Sequence, residues 1–240
     1  MFKERDRHLL KTIVKQRGIR WLVHFTHINN LQSILDQGII PREEVEKIVD
    51  YGIILFDNPQ SDYKRKNNEI VLPDDLRLDG KNASCLSIMF PNNKVLWHKR
   101  QSYGDKNVVF ILLKSDVLWD YNCAFYPINA ADRRVRHDPI EKYQSVEAFE
   151  YLFSDEVNNI KRETNLKPFL PTDVQAEILV FDTINIDYIH KCVLHNNLND
   201  KAVELSIRYP DIVFYPTKKS MKNIHGALCN FREKIRWSNE

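Results

Sequence analysis

Trp21-Leu22-Val23-His24-Phe25-Thr26-His27-Ile28, continuing through Asn29-Asn30-Leu31 to Ile34-Leu35 and Gly38, is the stretch that decides the fold. Trp21 to Phe25 reads as a short strand. Ile28, Leu31, Ile34 and Leu35 then recur at the spacing of one helical face, with Gly38 at its C-terminal end. Thr26 or His27 leads into that helix, so the unit is strand, polar turn, helix.

The pattern on either side is of the same mixed kind. Upstream, Leu9, Leu10, Ile13 and Val14 predict a helix from Phe2 to about Gln16, ended by Gly18. Downstream, periodicity is weak from Pro41 to about Asn82, and a loop that long suggests a binding role. Ser84 to Phe90 and Val108 to Leu113 read as strands, with a turn at Pro91-Asn92-Asn93 and a short helix from Val95 to Lys99 between them. After Tyr121 the chain reads as irregular and basic. A helix is expected from Tyr143 to Phe153, then a polar loop from Ser154 to Thr172, then a strand from Gln175 to Phe181. Strands at Ile189 to Leu194 and Ile212 to Tyr215, with a helix from Asp200 to Arg208 between them, complete an α+β pattern.

Length and composition narrow the class. With 240 residues, one compact domain with appended helices is expected over two cores. No stretch approaches the ~20 apolar residues of a membrane span, and Met1 to Arg7 is charged rather than an export signal, so the expected setting is cytoplasmic, with no membrane partner. Cys85, Cys123, Cys192 and Cys229 lie far apart without ligand spacing and read as core thiols, so no metal is expected. The net charge of +2 does not by itself call for nucleic acid, which leaves local clusters such as Lys64-Arg65-Lys66, Arg133-Arg134 with Arg136, and Lys218-Lys219 with Lys222. Only six glycines are present and none builds a Gly-rich phosphate turn, so a bound nucleotide would be gripped by side chains and loop backbone.

Three constellations could carry chemistry, and each has two readings. His24-Phe25-Thr26-His27 sits where a strand meets a helix, which suits a ligand contact, or a helix cap with a satisfied histidine. Gln175-Ala176-Glu177 opens an apolar strand after a Pro-containing loop, so Gln175 and Glu177 should share a face. Glu177 is then a cleft carboxylate, or an ordinary ion-paired one at a sheet edge. Arg77 and Asp79 precede a strand whose Ser87 is its odd polar residue. That suits a pyrophosphate with a ribose or amide, or a plain turn with a surface ion pair.

Together the three segments, in this order, resemble the DarT family of toxins, which ADP-ribosylate bases in single-stranded DNA. The resemblance covers His24 through Leu31 with Ile34-Leu35 and Gly38, Arg77 through Trp97, and Gln175-Ala176-Glu177 through Val180. It implies an ADP-ribosyltransferase-like split β-sheet core with flanking helices in a single domain over 1–240, including an N-terminal helix over 1–17 and a substrate loop over 154–174. It further implies NAD⁺ as co-substrate, Glu177 as the catalytic carboxyl group, and His24 and Thr26 contacting the adenosine and nicotinamide ends of NAD⁺. Phe25, Asn30, Ser87, Trp97 and Gln175 would complete the NAD⁺ site, with Phe90 or Trp97 stacking on the nicotinamide ring. Arg77 stands for the family's loop arginine, with Arg42 and Arg65 as alternatives.

Ser87-Ile88-Met89-Phe90 and Asn93-Lys94-Val95 depart from an aromatic-rich segment of some members, which leaves guanine or thymine, and DNA or RNA, open. The partners implied are single-stranded DNA or RNA, held at phosphates by Arg133, Arg134 and Arg136, and a neutralising antitoxin protein. Two other classes compete. An NAD-dependent RNA 2′-phosphotransferase would rest on basic residues and histidines rather than on Glu177, and a non-enzymatic nucleic-acid-binding module would release no nicotinamide.

Overall fold

The computed structural model describes residues 3–41, 64–66, 69–71 and 81–217. Helix α1, Glu4–Arg17, has acidic Glu4 and Asp6 in its first turn and Lys15 and Arg17 in its last, which suits the helix dipole, and it ends at Gly18 with φ 74°. Its Leu10, Ile13 and Val14 are buried. Strand β1, Trp21–His27, and helix α2, Ile28–Gln37, form the expected strand-helix unit. The strand is longer than its apolar run and takes in the whole His24–His27 motif. Thr26 therefore does not cap the helix: His27 does, its side chain accepting the Asn29 amide.

The remaining strands are β2 (Lys64–Lys66), β3 (Glu69–Val71), β4 (Ser84–Ile88), β5 (Val108–Lys114), β6 (Cys123–Tyr126), β7 (Glu156–Val157), β8 (Ile160–Lys161), β9 (Glu177–Val180), β10 (Ile189–His195) and β11 (Val213–Thr217). The helices after α2 are α3 (Asn93–Tyr103), α4 (Val117–Asp120), α5 (Val146–Tyr151) and α6 (Asn199–Arg208). Seven strands make one sheet in the order β11-β10-β5-β1-β4-β9-β6, antiparallel except for the β10–β11 pair.

The sheet is nearly split in its middle. β1 and β5 pair along seven residues, whereas β1 and β4 pair only at Leu22↔Ile88 and Val23↔Ser87. Past that point β4 turns its other edge to β9, through Ser84↔Val180, Cys85↔Leu179 and Leu86↔Ile178. Helices α1 and α2 cover one face over Leu22, Leu86, Ile111 and Ile178. On the other face, Leu96 of α3 packs on Val23, Phe110 and Leu112, and a turn carrying Ile128, Ala130 and Val135 packs on Tyr126 and Leu179.

Three expectations needed correction. The chain after Tyr121 is not irregular throughout: the buried run Cys123–Tyr126 is a strand paired with β9, and its lack of alternation reflects burial on both faces. Tyr143 to Phe153 is a short 3₁₀ turn, Ile140–Tyr143, followed by α5 over only Val146–Tyr151, because Ser145 caps a fresh helix through the Ala148 amide. Residues 154–172 are not a slack loop. They hold the β7–β8 hairpin, turned by Asn158 and Asn159 at φ 52° and 65°. Arg162 bonds the carbonyls of Lys167 and Leu170, and Thr172 Oγ1 donates to the Ser154 carbonyl at 2.6 Å.

Candidate active site

The registers decide which side chains meet. Val23 opposes Ser87, Cys85 opposes Leu179, and Glu177 opposes Tyr126. With strand alternation, Phe25, Ser87, Cys85, Glu177 and Tyr126 lie on one face, and His24, Thr26, Leu86 and Ile178 on the other. The first face carries two walls, α3 over β1 and β5, and the 128–138 turn over β6 and β9. Between the walls the floor is the β1–β4 split.

Glu177 is the first residue of β9 and only 8% exposed. Its Oε2 accepts the Ala130 amide at 2.9 Å. The turn that supplies this donor is itself fixed: Asn129 Oδ1 accepts the Ala131 amide, and the Asp132 carbonyl accepts the amides of Val135 and Arg136. From below, Lys81 Nζ donates to the Arg136 carbonyl at 2.6 Å and lies 5.4 Å from the Tyr126 ring. Burial, with Asp138 and Glu177 nearby, pushes the Tyr126 phenol up to about 12, so it stays neutral beside the carboxylate.

His24 occupies the split itself. Where the β1–β4 ladder lapses, its Nδ1 lies 3.1 Å from the Cys85 carbonyl. A carbonyl can only accept, so Nδ1 is the donor in this contact. Thr26 and Asn30 are each 2% exposed, and Asn30 Nδ2 donates to Thr26 Oγ1 at 2.9 Å. Asn30 Oδ1 is buried without a hydrogen-bond partner.

The other predicted residues divide. Phe25 and Ser87 share the Glu177 face, but the Ser87 oxygen accepts the Asn92 amide at 3.1 Å and closes the turn into α3. Gln175 does not share a strand with Glu177. It lies in the turn before β9, its amide donating to Asp173 Oδ1 at 2.8 Å, so the strand starts two residues later than expected. Trp97, on α3, is 51% exposed, and its ring meets His98 edge-on. Phe90 is half-buried and packs against both α1- and α3-side clusters.

Arg133, Arg134 and Arg136 ride on the turn that holds Glu177. Arg134 is engaged by Asp132 through two hydrogen bonds, which hold the Asp132 carboxyl down to about 2, while Arg136 Nε donates to His137. Arg42 and Arg77 lie outside the described residues, as do Lys218, Lys219, Lys222, Cys229 and most of the segment from Pro41 to Asn82. Arg65 falls in the β2 strand, whose side chains are not described.

Sequence reasoning missed the Ala130 amide, a backbone donor that no side-chain pattern reveals. It also missed Asp173, which Asp-x-Gln before an apolar strand could have signalled as an Asx turn. Among the described residues no group of three or more His, Cys, Asp or Glu could hold a metal, and no helix is long and apolar enough to cross a membrane.

The arrangement is a carboxylate of fixed orientation at the start of an interior strand, on the face flanked by α3 and the 128–138 turn, with a histidine bridging the β1–β4 split. Such a site can hold a ribose and oppose positive charge on it. A family model described as DarT, ssDNA thymidine ADP-ribosyltransferase, matches residues 23–219. Among curated protein sequences none matches the chain. Among solved structures, Thermus sp. 2.9 DarT in complex with NAD+ is similar with a TM-score of 0.50 at 12% identity, covering 82% of this chain and 95% of that one. The same protein in complex with carba-NAD+ gives 0.50 at 11%, over 84% and 97%. Thermosipho africanus DarTG in complex with ADP-ribose gives 0.48 at 18% over 82% of this chain, which spans 50% of that relative's length. At such identities the likeness of the structures is one of fold.

Proposed function

The chain belongs to the DarT family, and on that premise we propose that it transfers ADP-ribose from NAD⁺ to thymine in single-stranded DNA and releases nicotinamide. The observation that carries this reading is Glu177, a buried carboxylate at the first residue of a strand beside the sheet's split, held by the Ala130 amide. The family's description favours thymine over guanine, DNA over RNA, and base transfer over 2′-phosphate transfer.

The chemistry is a displacement at the ribose carbon that carries nicotinamide. That bond breaks with its electron pair leaving on nicotinamide, and the ribose acquires oxocarbenium character as in glycoside hydrolysis. Glu177 opposes the developing charge and holds a ribose hydroxyl. As a ring nitrogen of the base attacks, its proton passes to the Glu177 carboxylate. His24, held in the split by the Cys85 carbonyl, meets the ribose through the gap where the β1–β4 ladder lapses, and Phe25 and Trp97 give apolar surface to the nicotinamide ring. Thr26 and Asn30, buried together, act by fixing the end of β1 under the ligand. The pyrophosphate calls for an arginine from the segment between Pro41 and Asn82, where Arg77 is preferred to Arg42 and Arg65. The acceptor base must be unpaired, because its reacting nitrogen is hidden in a duplex.

Modification of DNA bases would make the chain a toxin that calls for a neutralising partner, and growth arrest on expression is the expected phenotype. The deciding experiment is incubation with NAD⁺ and mixed-sequence single-stranded DNA or RNA, followed by mass spectrometry of the nucleosides. ADP-ribosyl-thymidine is expected. Label on guanosine or on RNA would reassign the acceptor, and label on protein alone would overturn the reading.

A further inference from the structure

The turn that holds Glu177 is a strut with a tie at each end. At its near end the Ala130 amide meets Glu177 Oε2, and at its far end the Arg136 carbonyl accepts from Lys81 Nζ at 2.6 Å. β4 and β9 run antiparallel with Ser84 opposite Val180, so Lys81, just ahead of Ser84, enters at the end of β9 remote from Glu177. Between the ties the strut is stiffened by its own short bonds. The Asn129 carbonyl accepts the Asp132 amide, the Asp132 carbonyl those of Val135 and Arg136, and the Val135 carbonyl that of Asp138. A displacement at one end is therefore passed to the other.

Lys81 is only 8% exposed. Taking an ammonium group out of water is costly unless contacts offset it. Here the Arg136 carbonyl takes one N–H, and the Tyr126 ring lies 5.4 Å from Nζ. Tyr126 is the cross-strand partner of Glu177, and its ring packs on Tyr143 at 4.1 Å between centroids. Lys81 thus reaches both the far end of the strut and the residue beside Glu177. Ile128, Ala130 and Val135 press the turn on Tyr126 and Leu179, but apolar burial is non-directional and does not set where along the sheet the turn sits. A charge-assisted hydrogen bond is directional and does.

We propose that Lys81 is a positioning residue for ADP-ribosyl transfer, acting through the 128–138 turn to set the carboxyl group of Glu177. With the Arg136 end released, the strut slides or pivots, Ala130 moves with it, and Glu177 either follows its donor or loses it. A misplacement of about 1 Å at a reacting centre can cost on the order of a hundredfold in rate. The groups proposed to grip the dinucleotide, His24 in the split and Thr26 with Asn30 at the end of β1, lie off this strut. Loss of Lys81 should therefore appear in kcat and not in cofactor affinity. The inference rests on the function proposed above and deepens it by assigning what aims Glu177.

The test uses Lys81→Met, which keeps the apolar stem and removes both the donor and the charge. Wild type is assayed first on a short thymidine-containing single strand; no modification there would sink the proposed function itself. With wild-type activity in hand, the folded variant, checked by a thermal melt, is expected to lose at least fivefold in kcat while its affinity for carba-NAD⁺ stays within twofold. A smaller loss in kcat, with or without a lower melting temperature, would make Lys81 a staple of the fold and nothing more. If carba-NAD⁺ affinity falls by more than twofold alongside kcat, Lys81 serves the cofactor grip and its assignment to Glu177 is overturned. Should Lys81→Met fail to fold, Lys81→Gln goes through the same measurements. Its amide keeps a donor but stops about one bond short of the Arg136 carbonyl, so the strut must shift or lose its tie, and the same two thresholds decide.

Discussion

At the scale of single residues, the fixed orientation of Glu177 decides how it should be probed. Truncation to alanine would remove the acceptor of the buried Ala130 amide and leave that donor unpaired, at about 1–3 kcal/mol. Loss of activity in that variant would mix chemistry with folding. Glu177→Gln keeps an oxygen for Ala130 and removes the charge that opposes the ribose cation and takes the proton. It is expected to lose transfer by at least a hundredfold with a melting temperature close to wild type, as read by nucleoside mass spectrometry beside a thermal melt. Turnover within tenfold of wild type would remove Glu177 from its proposed role. The carboxylate was legible in the sequence as the polar opening of an apolar strand, but its burial was not, because the covering turn arrives from 47 positions away.

At the scale of elements, the strands and helices with clear periodicity were legible, and those fully enclosed were not. The β1–α2 unit shows its helix through Leu31, Ile34 and Leu35, whereas β6 is buried on both faces and offers no alternation to read. The end of α2 gives a sharp stability prediction. Gly38 has φ 86° and ψ −178°, a conformation kept almost wholly for glycine, and a Cβ there would stand 2.2 Å from the Ile184 carbonyl oxygen. That carbonyl also takes the Ile39 amide, so it cannot retreat without breaking a two-bond bridge. Gly38→Ala is expected to lower the melting temperature by roughly 5 °C or more, since a strained backbone of this kind costs about 1–3 kcal/mol before the clash is added. The 128–138 turn gives a second prediction. Arg134 is engaged by the Asp132 carboxylate at both Nε and Nη2, whereas Arg136 meets only the His137 ring at Nε, so Arg133 and Arg136 are expected to be the better phosphate contacts. Replacing both by alanine should flatten the log-salt dependence of oligonucleotide binding by ~1.4, at ~0.7 per contact on single strands, in fluorescence titrations. An unchanged slope would take the strand off this turn.

At the scale of the whole molecule, the sheet is two halves joined between β1 and β4 by two residue pairs, by the hydrogen bonds of Arg20 and Trp21 to Met89 just beyond them, and by the His24 bridge to Cys85. The family resemblance implied that split, but no residue pattern located it, because the lapse depends on β4 changing partners between Leu86 and Ser87. A dinucleotide bound across so narrow a join should act as a brace, stabilising the native state by mass action. Carba-NAD⁺ at a hundred times its Kd contributes about 2.7 kcal/mol, which for a chain of this size raises the melting temperature by roughly 5–10 °C. His24→Gln is expected to weaken that binding about tenfold, so the same ligand concentration contributes only about 1.4 kcal/mol and the shift falls by about half. Glu177→Gln should keep nearly the full shift, because its part lies in charge development during transfer rather than in holding the ground state together. Scanning calorimetry of the three proteins with and without ligand separates bracing from catalysis. A full shift in the histidine variant would mean that His24 serves only to tie β1 to β4, and that NAD⁺ is gripped elsewhere along the cleft.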